Sequence, residues 1–167
     1  FLNEIGRGEG AGYSANVPLL PWTADEAYFE VWDQVVEPLI RAFEPDVLVT
    51  ELGADALQGD PLASLGLHLQ GWWEIMRRIA RLEIPWLAVG GGGYDLANAM
   101  RAWTLTWGSM VGWDPGERIP PPDRELPGIA KGMVWPPDLW SAPAPFTGIP
   151  VDKEATAAIV RQIRQQL

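Results

Sequence analysis

The chain has 167 residues, enough for one α/β domain with a substantial core. Its 22 acidic and 12 basic side chains give a formal net charge of −10, which disfavours nucleic acids and anionic membranes as partners. Cysteine is absent, so disulfides, thiolate metal sites and a cysteine nucleophile are excluded. No apolar run approaches the roughly 20 residues that span a bilayer, and we expect a cytoplasmic protein.

The first part of the chain predicts a loop, a short strand and a long helix. Residues 1–12 carry four glycines and are typical of a loop, and residues 13–19 are a strand candidate. Thr23 and Glu26 have the spacing of a capping box, so a helix should begin there. Pro38 should divide that helix, because proline removes an amide donor. The predicted core-facing stripe is Tyr28, Val31, Trp32, Val35 and Leu39.

Two short apolar runs then predict buried parallel strands, each followed by a helix. Residues 47–50 form the first run and residues 84–89 the second. Residues 68–82 keep helical spacing between them, and Asp95 is placed to cap a final helix. The apolar stripe expected to face the core in that helix is Leu96, Met100, Trp103, Trp107 and Met110. The alternation predicts an α/β fold with a parallel sheet flanked by helices on both faces.

The chain changes character beyond Gly112. Ten prolines between residues 113 and 150 exclude long helices, so this part should be an extended Pro/Trp-rich segment that wraps over the domain. Residues 151–167 have apolar side chains at helical spacing and predict a surface helix. The sequence therefore divides into a folded unit over residues 1–112, a wrapping segment over 113–150 and a C-terminal helix over 151–167.

Two segments each place a chemically capable side chain just past a strand. Asp55 follows the first strand and Tyr94 follows the second. Ligands bind at the carboxyl ends of strands in open α/β sheets, so both segments point at one site. Asp55 suits one ligand of a catalytic zinc, although an aspartate in such a turn also suits a helix cap or a turn former. The Tyr94 hydroxyl could donate a hydrogen bond to a developing oxyanion. Asp60, in the sequence Gln-Gly-Asp-Pro, is expected to have a structural role in its turn.

Four glycines at residues 90–93 leave three interpretations open. They fit a flexible turn, a phosphate cradle at a helix N-terminus, or the close wall of a substrate channel. The loop lacks the lysine of a P-loop and the spacing of a dinucleotide-binding motif. His68 is the only histidine, and it suits a cap or a surface position because no carboxylate is placed in sequence to orient it. The residues therefore supply no evident general base.

Four ordered motifs resemble the C-terminal half of the histone deacetylase family, in particular its acetoin-utilisation type. They are GAGYSANVPL at residues 10–19, EPD at 44–46, GADALQGDPL at 53–62, and GGGGYDLAN followed by RAW over 90–103. The resemblance implies an arginase-like α/β fold, present as its C-terminal half over residues 1–112. It also implies a zinc-dependent deacetylase that hydrolyses acetyl-lysine or a related acetylated amine.

The resemblance assigns expected roles to individual residues. Asp55 would be the last of three zinc ligands, and Tyr94 would donate a hydrogen bond to the acetyl carbonyl. Gly92, Pro61 and Leu62 would line the channel that takes the acyl-lysine chain. The physical logic agrees with the interpretation from the residues alone, because a zinc ion polarises the carbonyl and a phenol stabilises the resulting oxyanion.

The family's remaining machinery does not match any part of this sequence. The resemblance places its paired histidines and its two other zinc ligands in an upstream part, so we expect the chain alone to be inactive. Without the strands and helices of that part, apolar surface and a sheet edge would be uncovered, so we also expect poor solubility or self-association. Glu51 stands where many relatives have glutamine. Two alternatives stay open. The chain is a non-catalytic binding module or half-domain that needs an N-terminal partner, or it is a nucleotide-binding α/β domain that uses the glycine loop.

Overall fold

The computed structural model describes residues 4–114 and positions 154, 158 and 161. Four helices and two strands lie within residues 4–114. In chain order they are α1 (Asp25–Val31), α2 (Glu37–Phe43), β1 (Leu48–Leu52), α3 (Leu69–Ala80), β2 (Trp86–Gly90) and α4 (Leu96–Met110). Short 3₁₀ turns occur at Gly8–Gly10 and Ala54–Ala56, and a π-helical turn at Trp32–Val36 joins α1 to α2.

The two strands confirm the predicted parallel pairing. β1 and β2 are in register from Leu48 opposite Trp86 to Leu52 opposite Gly90. Helix α3 makes the crossover between them, as parallel strands require. β1 extends past its predicted end and includes Glu51. The carboxyl ends of both strands therefore lie at the same edge of the sheet.

Only one face of this sheet is covered by the described residues. Leu48, Leu52 and Trp86 pack against the core. On the opposite face Val49 and Leu87 lie side by side and are 60% and 55% exposed. The predicted helices therefore flank the sheet on one face, and none of the described helices packs on the Val49 side. We call this surface the open sheet face.

The core lies between the covered sheet face, α3 and α4. Helix α3 confirms the predicted helix over residues 68–82 and buries Trp72 and Met76. The indole Nε1 of Trp72 donates to Ala102 O at 3.0 Å and to Thr106 Oγ1 at 3.1 Å. Ala102 and Leu105 are fully buried beside this contact. The indole thus fixes how α4 lies against α3.

Helix α4 presents a different face to the core from the predicted one. Four residues of the predicted apolar stripe are exposed: Leu96, Trp103, Trp107 and Met110. The buried residues are Asn98, Ala99, Arg101, Ala102, Leu105, Thr106, Gly108 and Ser109. Small side chains on this buried side let the two helices approach closely enough to pack densely. Hydrophobicity alone therefore selects the wrong face of α4.

The first helical region is divided as Pro38 predicts. The π-helical turn ends at Val36, and α2 begins at Glu37 with Pro38 in its first turn. The helical conformation continues through Val36 and Glu37, and the wider π-helical turn directly before Pro38 accommodates the missing amide donor. Members of the predicted stripe that are buried are Val31, Trp32 and Val35.

The capping box predicted at Thr23 does not form. Helix α1 begins at Asp25, and its N-cap residue Ala24 makes no side-chain hydrogen bond. Thr23 is fully buried instead, and its hydroxyl donates to Leu20 O at 2.7 Å. The Thr23 side chain is therefore used in the turn that precedes α1 and does not cap the helix.

The strand predicted over residues 13–19 is also wrong. These residues have no regular secondary structure and pair with no strand in the described part of the chain. Val17 and Leu19 pack instead against Val31 and Val35. The apolar residues of this segment therefore bury themselves on the first helical region without forming a ladder.

Most of the predicted C-terminal segments lie outside the described residues. This holds for residues 115–150 and, apart from three positions, for 151–167. Glu154, Ala158 and Arg161 are helical and exposed. The division of the chain at residues 112 and 150 stays a prediction. Among the described helices, none combines the length and the apolar character needed to cross a bilayer.

The contact between α3 and α4 predicts a position-dependent cost of added volume. Ala102→Leu should lower the free energy of unfolding by about 1–3 kcal/mol, because the fully buried site has no room for three more carbon atoms. Urea denaturation of the chain measures this change. The control is Ala42→Leu on the exposed side of α2, which should change stability by less than about 0.5 kcal/mol. Equal effects at both positions would contradict the packing.

Candidate functional site

The turn after β1 and the loop after β2 meet at one edge of the sheet. We call residues 53–57 the Asp55 turn and residues 90–93 the glycine loop. The N–H of Ala54 donates to Gly92 O at 2.7 Å, which joins the two directly. The structure therefore brings together the two segments that the sequence singled out.

The carboxylate of Asp55 lies against the glycine loop. Asp55 is the central residue of the 3₁₀ turn after β1 and is half-buried. A Cβ atom on Gly92 would collide with Asp55 Oδ2, and one on Gly53 would lie 2.6 Å from Asp55 Oδ1. Glycine at these two positions is what allows the carboxylate to lie so close to the main chain.

A second carboxylate borders the glycine loop and argues against a phosphate there. A Cβ atom on Gly91 would collide with Oε1 of Glu51. The amides at the start of α4 are already used, since Asp95 Oδ1 accepts from Ala97 and Asn98 at 3.0 and 3.1 Å. A phosphate would therefore meet like charges and a capped helix end, so the phosphate-cradle interpretation is disfavoured.

Gly93 adopts a conformation that requires glycine. Its φ angle is +138°, in a region that residues with a side chain rarely enter. A Cβ atom there would lie 3.0 Å from Ala54 Cβ and 3.3 Å from Ala99 Cβ. The loop is therefore wedged between the Asp55 turn and α4. This packing favours the close-wall interpretation of the glycines over an open turn.

Tyr94 follows the glycine loop and is held through its main chain. Its side chain is 53% exposed, and its N–H donates to Asp60 Oδ2 at 2.8 Å. Burial raises the pKa of Asp60, but hydrogen bonds from the amides around it outweigh burial, and the pKa lies below its usual range. The carboxylate therefore stays ionised at neutral pH. Its bonds are lost only as the pH falls through that lowered pKa.

The predicted channel residues lie around the same edge. Gly92 of the glycine loop is half-buried against the Asp55 turn. Pro61 and Leu62 are exposed in the bend that follows that turn. The N–H of Leu62 donates to Asp60 Oδ1 at 2.8 Å, which closes the bend. The bond from Tyr94 N–H to Asp60 Oδ2 then holds this bend next to Tyr94. The roles of these three residues in binding a substrate stay predictions.

Tyr28 of α1 is a neighbour of Asp55 that the sequence marked only as a core residue. Burial raises the pKa of Tyr28, and the negative charges of Asp55 and Asp25 raise it further. The phenol is therefore protonated at neutral pH. The helical spacing of Tyr28 does not indicate that Asp55 lies nearby, because tertiary packing brings the two residues together.

His68 has a carboxylate partner that the sequence analysis missed. Asp25, 43 residues earlier, accepts from the His68 N–H through Oδ1 at 2.7 Å. Its Oδ2 lies 3.3 Å from Nδ1 of the imidazole. His68 is the N-cap residue of α3, so a side chain of α1 satisfies this helix start. His68 thus lies at the predicted N-cap position, although its side chain makes no capping hydrogen bond, and it has a carboxylate partner that spacing in the sequence did not show.

The described residues do not form a complete metal site. No three His, Cys, Asp or Glu side chains within the described ranges are grouped so that they could hold a metal ion. A catalytic zinc usually takes three protein ligands and keeps one position open. Asp55 is a suitable carboxylate at the right edge of the sheet, but alone it does not make a complete site.

The fold and these loops together define a known class of protein. The parallel strands with helices and a loop site at their carboxyl edge form an arginase/deacetylase-like fold. A family model described as the histone deacetylase domain matches residues 1–110. The chain belongs to the histone deacetylase family.

Individual relatives support the same assignment. The acetoin utilization protein AcuC of Bacillus subtilis is 36% identical over 173 residues, which cover 99% of this chain and 44% of that protein. Histone deacetylase 8 of Xenopus tropicalis is 36% identical over 119 residues, covering 71% of this chain and 32% of that protein. The chain spans less than half the length of either relative.

A solved structure gives the same result for the fold. A crystal structure of an HDAC homolog complexed with SAHA superimposes with a TM-score of 0.76 at 25% sequence identity. The match covers 98% of this chain and 45% of that one.

The conformation of Gly93 predicts a specific loss of stability. Gly93→Ala should lower the free energy of unfolding by about 1–3 kcal/mol, because the new methyl group meets Ala54 and the φ angle is unfavourable for alanine. Thermal and urea denaturation measure this change. Gly10→Ala is the matched control, since a Cβ there meets nothing within 4 Å. A Gly93→Ala chain as stable as the Gly10→Ala chain would show that the loop is not wedged.

Proposed function

We propose that this chain supplies part of the active site of a zinc-dependent deacetylase, which hydrolyses acetyl-lysine or a related acetylated amine. The observation that carries the proposal is the direct contact between the Asp55 turn and the glycine loop, through Ala54 N–H and Gly92 O at 2.7 Å. That contact holds a carboxylate and a tyrosine at one edge of a parallel sheet. Membership of the histone deacetylase family supports the reaction class.

Each residue of the site then has a distinct task. Asp55 contributes one ligand to zinc, and its remaining ligands come from outside the described residues. Zinc, when bound, would act as a Lewis acid on the acetyl carbonyl. Tyr94 donates a hydrogen bond to the same oxygen as its negative charge develops, an interaction worth about 3 kcal/mol in comparable oxyanion sites. Gly92 and Leu62 line the path of the acylated chain.

The substrate is acetyl-lysine or a related acetylated amine, whose acetyl group is held in an amide bond. The related solved structure is described as an HDAC homolog complexed with SAHA, which supports an acetyl-lysine-like substrate. The net charge of −10 favours cationic substrates by long-range attraction and disfavours nucleic acid and anionic membranes. We place the reaction in the cytoplasm, in line with the absence of cysteine.

The chain alone should have no activity. One carboxylate binds zinc weakly compared with three protein ligands. The only histidine of the chain, His68, lies at the start of α3, where its imidazole pairs with Asp25 and not with Asp55 or Tyr94. The general base is thus expected in the same additional part that completes the metal site.

The alternative function is a non-catalytic half-domain that binds an N-terminal partner. The open sheet face favours it, because parallel sheets are normally covered on both faces. Val49, Leu87 and Val89 are exposed on this face, and Glu51 lies at its carboxyl end. A polypeptide with the fold of the relatives' remaining part would cover these residues. Under this alternative, the assembled protein binds acetylated ligands without turnover.

A chimera tests the proposal. This chain replaces the segment that it matches in the Bacillus subtilis relative, and zinc-dependent release of acetate from an acetyl-lysine peptide is measured. We expect turnover by the chimera and none by the isolated chain. Asp55→Asn and Tyr94→Phe should each lower kcat by about 10²–10³-fold, since the first weakens the binding of zinc and the second removes the hydrogen-bond donor to the carbonyl.

The matched control for that experiment is Tyr13→Phe, which removes the same hydroxyl from an exposed residue beside Phe43. It should leave kcat within about twofold, as is usual for surface changes. Undiminished turnover by the Tyr94→Phe chimera would refute the role of Tyr94. Turnover by the isolated chain would refute the need for additional ligands.

The open sheet face predicts self-association of the chain. Val49→Thr combined with Val89→Thr keeps the shape of both side chains but lowers their apolar area. It should raise the concentration needed for association by about tenfold or more. Sedimentation velocity across a concentration series measures this shift. Val111→Thr, at the exposed end of α4, is the control and should have no effect. A wild-type chain that stays monomeric and melts sharply would contradict the prediction.

A further inference from the structure

We propose that Asp60 is a positioning residue, whose carboxylate fixes the main chain of Tyr94 beside the Asp55 turn. The inference rests on the proposed function, because it gives Asp60 a task in the same site. Tyr94 lies 34 residues away in the sequence, and its N–H donates to Asp60 Oδ2 at 2.8 Å. Asp60 is therefore more than a turn former in its own segment.

The two oxygens of Asp60 perform separate tasks. Oδ1 accepts from the N–H groups of Leu62 and Ala63 at 2.8 and 3.0 Å, which closes the bend that follows the Asp55 turn. Oδ2 accepts from the N–H of Tyr94. The carboxylate thus connects a rigid bend to the residue that carries the phenol, with one oxygen directed to each.

This connection matters because the Tyr94 side chain has little packing of its own. The residue is 53% exposed, so the position of the phenol depends largely on the main chain from which it projects. On one side Gly93 is wedged against Ala54. On the other side Asp95 caps α4. Asp60 holds the residue between them, and a displacement of about 1 Å at a reacting group can lower a rate about 10²-fold.

An isosteric variant separates the two tasks. Asparagine has one acceptor oxygen and one NH₂ donor, and it forms the same kind of side-chain turn as aspartate. In Asp60→Asn the oxygen can still accept from Leu62 and Ala63. The NH₂ group then faces the N–H of Tyr94, and two donors oppose each other. The variant should keep the bend and lose the connection to Tyr94.

The first test uses the 167-residue chain and requires no activity. The chain has three tyrosines, so 3-fluorotyrosine labelling gives three ¹⁹F signals, with Tyr13 and Tyr28 as internal references. In Asp60→Asn we expect the Tyr94 signal to shift and sharpen, the Tyr94 amide to exchange at least tenfold faster, and the two reference signals to stay in place. Asp46→Asn, at an exposed position before β1, is the control and should change none of these.

A second variant keeps the proposal testable if Asp60→Asn does not fold. Replacing Tyr94 by its α-hydroxy acid analogue turns the amide into an ester, which removes the donor N–H and leaves Asp60 and its bend intact. The fluorine signal of the ring should shift and sharpen as in Asp60→Asn. Unchanged fluorine signals in both variants, or an unchanged exchange rate in folded Asp60→Asn, would overturn the proposal.

The second test uses the chimera described above. Asp60→Asn should lower kcat by at least tenfold and leave KM within threefold, because the donor is misplaced while the channel residues stay. Asp46→Asn should change neither constant. Wild-type kcat in Asp60→Asn would overturn the proposal. If Tyr94→Phe has no effect on kcat while Asp60→Asn still changes the Tyr94 signals, the proposed function fails and the connection between Asp60 and Tyr94 stands.

Discussion

The hydrogen bond from Ala54 N–H to Gly92 O joins the two loops on which the site depends. It forms because β1 and β2 are parallel neighbours, so their carboxyl ends meet at one edge. The loops approach this closely because Gly92 and Gly93 have no side chains to keep Asp55 and Ala54 away. The position of the Asp55 carboxylate therefore depends both on the pairing of the two strands and on the glycines of the loop that faces it.

Features set by local chemistry could be predicted from the sequence. The parallel strands, the interruption at Pro38 and the cap at Asp95 all follow from signals within a few residues. The motifs around Asp55 and Tyr94 likewise indicated one site, because the rule that ligands bind at strand ends needs only the strand positions. The family assignment then agrees with that interpretation.

Features set by distant contacts could not be predicted. The buried side of α4 is decided by its contact with Trp72 of α3, so a stripe of large apolar residues pointed to the wrong face. The partner of His68 lies 43 residues away in sequence, which no spacing rule reveals. Asp60 looked like an ordinary turn residue because its bond to Tyr94 also crosses between segments. The open sheet face arises in the same way, since the pattern of the strands does not say what packs on them.

The central claim is that Asp55 and Tyr94 act on one point at this edge of the sheet. Paramagnetic broadening tests it most directly, with Co²⁺ in place of zinc in the chimera and a single 3-fluorotyrosine at position 94 or 13. We predict strong broadening at position 94 and much weaker broadening at position 13, which lies beside Phe43 before β1. An unbroadened signal at position 94 in a chimera that holds cobalt through Asp55 would contradict it.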